Sequence, residues 1–573
     1  MKGMLLNCSI LLFFFAGAFA HFQIPGLPIV VIPEYTAFGL KNTTHKGTEA
    51  NLYLGLPYVK PPERFEKAEP LKPSLFKHVN AKAWPKACHQ MNDLGDAVQT
   101  SEDCLYLNVF TPAKFSTKLR PVFVFIHGGG YFSGFTEAYG YEYFVDNFIP
   151  QDVIVVTLQY RVAHFGYLAT RDHVINGNFG LFDQLAALKF IKRNIIGFGG
   201  DPNRITLSGH SAGSTSTHAL SLRPDTKNLW NQEIRLAGSN YALWGIASES
   251  TFNQSELISN AVGCNQVDSH ARKACLKQVD YKRFWEVRQE LHLFDIVPDK
   301  YDALYWTPNY DDDFFQGKTL DELQAVAPKR KTLYGLDIGE SLHMTLISKN
   351  PITSIYGLAR GGYTYENRSA ATPEKIREFI LQLLVDPKFD NPATKEAIIN
   401  RVFDYYQIGV GPNATDPNHY FYKLTEVNQI ILKGATGKEI DVKYNLGWRD
   451  LYLFQLNYVR PQDLTQIGNI NGHGYLLLYL CGLNIYTEDG VSNTTEDNLV
   501  QKNLAQVFYN FVKGQNPSSN GVSIPKVTAN SIPYMLINDQ VTIGTTDIKP
   551  KVDFWNQLAA DYQFDFLQQV HLD

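Results

Sequence analysis

Apolar positions along this chain fall into two alternating patterns. Short apolar runs rich in β-branched and aromatic residues recur at 121–126, 153–160, 204–208, 331–336, 451–459 and 534–543, each with the length and composition of a buried strand. Between them the spacing becomes helical: Leu181, Leu185, Leu188, Ile191 and Ile195 repeat every three or four positions, with Lys189, Lys192 and Arg193 among them. That stripe predicts a helix packed by one face on a core. Strands alternating with helices over this length predict an α/β fold, a large and mostly parallel central sheet flanked by helices. No repeat, low-complexity linker or long charge run interrupts the pattern, so residues 21–573 read as one domain.

Glycine punctuation marks where chemistry can sit. Gly209-His210-Ser211-Ala212-Gly213 follows the 204–208 run directly and precedes a small-residue stretch able to open a helix. A serine on so sharp a strand-to-helix turn is lifted off the sheet with its hydroxyl exposed, and glycines two positions either side let neighbouring backbone pass. A second cluster, His127-Gly128-Gly129-Gly130-Tyr131, ends the 121–126 run. Such a loop can turn main-chain amides inward. Gly129 and Gly130, with Ala212 as a third donor, are expected to bind the oxyanion of a tetrahedral intermediate.

Further segments follow in order: Leu56-Pro57-Tyr58-Val59 with Pro61-Pro62, the stretch Ser101-Glu102-Asp103-Cys104-Leu105-Tyr106-Leu107-Asn108, Tyr160-Arg161-Val162, Gly177-Asn178-Phe179-Gly180-Leu181-Phe182-Asp183-Gln184 and Phe198-Gly199-Gly200-Asp201-Pro202-Asn203. Through these motifs the chain resembles the type-B carboxylesterase and cholinesterase family of the α/β-hydrolase fold, over nearly all of residues 21–573. The resemblance implies a triad in the chain order serine, acid, histidine. Gly335 followed five positions on by Glu340 matches the family's acid, although Ser341 stands where the family usually has glycine, and Asp337 in the same loop has the chemistry to substitute. Ile467-Gly468-Asn469-Ile470-Asn471-Gly472-His473-Gly474 resembles the family's histidine loop, with Leu476 where glutamate is common. His473 would take the Ser211 proton, Glu340 would orient the imidazole, and water would release the acyl-enzyme. His127 is read as scaffold of the glycine loop and His210 as flanking the nucleophile. His45, His218, His292 and His343 are read as structural or surface residues. No HExxH, Walker loop or zinc-like spacing calls for a metal or organic cofactor.

Compartment is read at the amino terminus, where Lys2, an apolar stretch over 4–15 and Ala18-Phe19-Ala20 form a signal-peptide pattern with cleavage before His21. An uncleaved anchor is the alternative, because the stretch approaches the roughly 18 residues of a membrane span. No other stretch has that length and the carboxyl end has neither an anchor-signal tail nor a KDEL-type ending, so a secreted chain without an integral span is expected. The resemblance pairs Cys88 with Cys104 and Cys264 with Cys275, leaving Cys481 as a buried thiol or, alternatively, an intermolecular bridge. Asn42, Asn253, Asn367, Asn413 and Asn493 head N-glycosylation triplets. A net charge of −5 over 573 residues argues for neither nucleic acid nor an anionic membrane as partner.

The expected partner is a small ester. Cholinesterases carry a tryptophan in the loop closed by their first disulfide and a glutamate before the nucleophile; here the 89–103 loop has no phenylalanine, tyrosine or tryptophan, and the residue is His210. Neutral esters are therefore favoured, because a quaternary ammonium is best held over an aromatic face. A cholinesterase-like enzyme and a non-catalytic, neuroligin-like adhesion ectodomain are the alternatives. Trp306 either borders the acyl pocket or packs in the core.

Overall fold

A strand that is apolar on both faces needs cover on both sides, which only the middle of a layered fold supplies. The computed structural model describes residues 22–24, 26–74, 76–90, 98–293, 306–346, 362–384, 386–411, 413–484, 494–545 and 548–572; the signal-like segment 1–20 lies outside them. Its central sheet contains β1 (Leu40–Thr43), β2 (Glu49–Pro57), β3 (Tyr106–Pro112), β4 (Arg120–Ile126), β5 (Ile154–Leu158), β6 (Gly200–His210), β7 (Gln232–Leu236), β8 (Lys331–Asp337), β9 (Leu451–Leu456), β10 (Tyr534–Ile537) and β11 (Val541–Gly544). The spatial order is β11-β10-β9-β8-β7-β6-β4-β5-β3-β2-β1. Strands β4 to β10 pair in parallel, whereas β1 to β3 and β11 pair antiparallel at the two edges. Every residue of β4, β5, β7 and β9 is buried, while edge strands β1 and β11 have no buried residue.

Two departures from the sequence reading have physical causes. The 534–543 run is a hairpin instead of one strand, because Asn538-Asp539-Gln540 turns the chain and the Asn538 N–H donates to the Gln540 carbonyl at 3.0 Å. Strand β7 goes unread because Glu233 and Arg235 make it look polar, yet both are fully buried in it.

The helical stripe behaves as its spacing demands. Leu181, Leu185, Leu188 and Ile191 all face the core from α1 (Phe179–Asn194), and Ile195 continues the face into a 3-10 turn. Helix α2 (Ala212–Ser221) starts where β6 stops and is buried along its whole length. Strand β4 lies between β5 and β6, so the chain crosses over β4 in passing from one to the other. The carboxyl ends of β4 and β6 then stand side by side, Ile126 opposite Gly209, at a place where open α/β sheets commonly bind ligands.

Behind this edge lies a buried ionic cluster. Arg235 donates to Glu233 at 2.6 and 3.0 Å, to the Ser221 hydroxyl of α2 at 2.7 Å, and to Glu439 of α3 (Lys433–Asn445). Glu439 also accepts from Tyr334 of β8 at 2.7 Å and pairs with Lys443 at 2.9 Å. Burial alone would push the Glu439 carboxyl up, but Arg235, His218 and Lys443 outweigh it and hold it well below the usual carboxylate range. A folded-state value below the unfolded one means that this stabilisation is present above the unfolded value and is lost as pH falls through the folded one. Glu439→Gln, which leaves Lys443 without its paired carboxylate and Arg235 with Glu233 alone, is expected to lower the unfolding free energy at pH 7 by about 3–5 kcal/mol. Urea titration measures this; a deficit under about 1 kcal/mol would show that the cluster is not holding α3 to the sheet.

Candidate active site

The serine elbow is made by the close passage of backbones. Ser211 stands between β6 and α2 with φ 57° and ψ −122°, a region that costs a non-glycine residue on the order of 1–3 kcal/mol. Its N–H donates to the Leu236 carbonyl at 2.8 Å, which ties the turn to β7. A Cβ on Gly213 would stand 2.1 Å from the Ile126 carbonyl oxygen, and one on Gly209 would stand 2.1 Å from the Gly213 oxygen. Only glycine fits either place.

The glycine loop after β4 packs directly on this elbow. A Cβ on Gly128 would meet the His210 carbonyl at 2.7 Å and Ser211 Cβ at 3.0 Å. The Gly128 N–H donates to the Tyr139 hydroxyl at 3.0 Å, so it is committed to structure. The Gly129 carbonyl turns back to accept from the Phe132 and Ser133 N–H groups at 3.2 and 3.0 Å. With φ of 116° at Gly129 and 60° at Gly130, the loop takes a shape that side-chain-bearing residues rarely adopt. Ala212 opens α2, so its N–H belongs to the first helical turn, where no carbonyl lies one turn back. His127 supports the loop: its Nδ1 lies 2.8 Å from the Gly128 carbonyl oxygen and its ring stacks on Tyr160 at 4.4 Å. Burial pushes its imidazole down to about 4, leaving it uncharged at neutral pH.

Across from the elbow, His473 Nδ1 lies 2.8 Å from Glu340 Oε2. Glu340 is fully buried, and its other oxygen accepts the Asp337 N–H at 2.6 Å. Asp337 faces away from the imidazole. Its carboxylate accepts from Asn471 Nδ2 and from the Leu476 N–H, each at 3.3 Å. Burial, then the charge of Glu340, push the Asp337 carboxyl well above the ordinary value, against the pull of the Leu476, Gly474 and Tyr475 N–H groups. Two further bonds stitch the acid and histidine loops together: Ile338 N–H to Asn471 Oδ1, and Gly339 N–H to the Asn471 carbonyl, both at 3.0 Å. Ser341, in the position where glycine is usual, is buried and donates to the Asn428 carbonyl at 2.8 Å.

Two imidazoles flank His473. The ring centroid of His210 lies 4.6 Å from that of His473 and the His343 centroid 4.9 Å from it. His343, read from the sequence as structural or surface, is half-buried against His473, and its Nδ1 lies 2.9 Å from the Glu340 carbonyl oxygen. Its signal in the sequence is a position three residues past Glu340.

The cysteines form disulfides Cys88–Cys104 and Cys264–Cys275, and Cys481 is a buried free thiol. Asn253, Asn367 and Asn413 are exposed; Asn42 is half-buried with its amide nitrogen turned inward, and Asn493 lies outside the described residues, as does the 91–97 part of the first disulfide loop. Trp306 is fully buried beside His164, their rings 5.8 Å apart. Among the described residues, no helix is long and apolar enough to cross a membrane.

A serine elbow at the end of a parallel strand, beside a glycine loop and a histidine–carboxylate pair, defines an α/β-hydrolase. The carboxylesterase family profile matches residues 28–555, and the chain belongs to that family. It is a carboxylic-ester hydrolase. The chain is 31% identical over 542 residues to gut esterase 1 of Caenorhabditis briggsae and 28% over 539 residues to gut esterase 1 of Caenorhabditis elegans, covering 91% of this chain and 92% of each relative. It is similar also to carboxylesterase 1D of Rattus norvegicus, 27% identical over 536 residues and 89% of both chains.

Proposed function

We propose that this chain is a secreted carboxylesterase that hydrolyses neutral esters through Ser211, His473 and Glu340, with Gly129, Gly130 and Ala212 as oxyanion donors. The observation that carries the reading is the 2.8 Å contact of His473 Nδ1 with buried Glu340, alongside a serine held in a strained turn. His473 accepts the Ser211 proton as the hydroxyl attacks the ester carbonyl. Glu340 keeps the proton-bearing nitrogen on its own side of the ring and balances the imidazolium. The tetrahedral oxyanion is met by fixed amides, each worth about 2.7–4 kcal/mol when one is removed. Collapse expels the alcohol with the proton from His473, and water repeats the cycle on the acyl-enzyme.

Secretion is supported by the signal-like residues 1–20 and by two disulfides, which persist in oxidising compartments. Residues 21–573 then form the mature single domain, with glycans at the exposed Asn253, Asn367 and Asn413; Asn42 and Asn493 are the other acceptors. Neutral substrates are favoured by His210, which stands buried where a choline site would place a negative charge. Burial, then the nearby His473 and His343, hold the His210 imidazole well below its ordinary value.

Ser211→Ala is expected to cost more than about a thousandfold in turnover with folding retained. The parent enzyme should take up one organophosphonate per chain, on the peptide that carries Ser211. Substantial turnover in the variant, or an adduct mapped elsewhere, would identify a different nucleophile.

Glu340→Gln should reduce kcat strongly, because an amide can hold the wrong tautomer and balances no charge, while Asp337→Asn should be mild. Steady-state kinetics on both variants decide the acid; a dead Asp337 variant beside a near-parental Glu340 variant reverses the assignment.

Acetylcholine should hold no advantage over its uncharged isostere 3,3-dimethylbutyl acetate in kcat/KM. A desolvated aromatic cation site contributes about 2 kcal/mol or more, close to thirtyfold. A preference of tenfold or greater for acetylcholine would require a cation site built from other residues.

A further inference from the structure

The His473 ring has its Nδ1 on Glu340 and two other imidazoles in contact with it, and neither of these takes part in the proton transfers described above. They come from separate elements: His210 is the last residue of β6, and His343 lies on the short helix Leu342–Thr345 that follows the acid. Their centroids stand 4.6 and 4.9 Å from that of His473, and both rings are tilted 33° to it. The three rings are not arranged to share an ion: among the described residues, no cluster of three or more His, Cys, Asp or Glu is set to hold a metal.

The protonation of the two flanking rings is constrained. A carbonyl oxygen only accepts, so His343 Nδ1, 2.9 Å from the Glu340 carbonyl, must carry a hydrogen. Glu340 thereby holds His473 with its carboxylate and His343 with its main chain. Burial, then the proximity of His473, push the His343 imidazole down to about 3, and the same two causes with His343 itself act on His210. Both rings are therefore uncharged where an esterase works. The carboxylates that face the cluster are Glu340, on the His473 edge, and Asp337, turned away onto the 474–476 N–H groups.

We propose that His210 and His343 are positioning residues that sandwich the His473 imidazole between two uncharged rings, fixing its plane and stabilising the imidazolium that forms on it during acyl transfer. The inference rests on His473 being the general base. A cation within about 6 Å of an aromatic face is attracted by the ring's quadrupole, more strongly where water is excluded. Neutral His473 gains little from the same faces, so the benefit falls on the transition state and enters kcat instead of KM.

The test compares His343→Ala, His343→Gln and His343→Phe, with His210→Phe as an independent second site, on p-nitrophenyl acetate. Thermal unfolding and phosphonate titration set the concentration of folded active sites. Removing one ring in His343→Ala is expected to lower kcat about five- to thirtyfold, with KM within about twofold. Phenylalanine restores the aromatic face without a titratable or hydrogen-bonding group, so His343→Phe should recover kcat to within about threefold of the parent, whereas glutamine should not. His210→Phe should likewise keep kcat within about threefold. Recovery by glutamine and not phenylalanine would replace the sandwich with a hydrogen-bonding role, and parental kcat in all three His343 variants would remove it. His473→Ala separates the two levels: high turnover in that variant overturns the general-base assignment, while an inactive His473→Ala beside parental His343 variants overturns the sandwich alone.

Discussion

Everything at this site hangs on how closely three pieces of backbone pass at the ends of β4 and β6. Gly209 and Gly213 leave no room for a Cβ against each other or against the Ile126 carbonyl, and Gly128 leaves none against His210 and Ser211. That contact sets the depth at which α2 enters the fold, and with it the strained turn at Ser211. It also brings the glycine loop against the serine without any side chain intervening. The parallel register of β4 with β6 makes the approach possible, because it stops both strands at the same level, Ile126 beside Gly209.

Burial acts at the site mainly by deciding who is charged. His127, His210 and His343 are all disfavoured as cations by their surroundings. Asp337 is pushed toward its protonated form while its neighbour Glu340 meets His473. On the far side of the elbow helix the same low dielectric works with the opposite outcome, since Glu233, Arg235, Glu439 and Lys443 neutralise one another. Helix α2 therefore runs from a site whose surrounding imidazoles are held neutral to a cluster of paired charge, which Ser221 joins through Arg235.

What could be read from the sequence was what is local. The elbow and the glycine loop are contiguous, and their glycines answer to steric needs within a few residues. Most apolar runs are strands for the same reason, burial on both faces. Strand β7 escaped because Arg235, besides pairing with Glu233 in the strand itself, is compensated by Glu439, some two hundred positions away, and no window on the chain contains both. Which of Glu340 and Asp337 meets an imidazole is not local either, since their partners, Asn471, His473 and Leu476, come from beyond β9. His343 was passed over because a lone histidine says nothing until Glu340 and His473 are placed around it.

The cysteines carry a consequence for how the chain matures under oxidising conditions. Both disulfides close short segments, 16 and 11 residues apart in sequence, so each can form from local encounters before the sheet is complete. Among the described residues Cys481 is the free thiol that could scramble them. It ends α4 (Leu476–Cys481), donates to the Leu477 carbonyl at 3.2 Å, and burial pushes its thiol up to about 12. Exchange proceeds through a thiolate with access to a disulfide sulfur, and a thiol in that state has neither the charge nor the access. Completion of the fold is thus also what proofreads the pairing: once α4 is packed, the free thiol of the described residues has been withdrawn from the reaction.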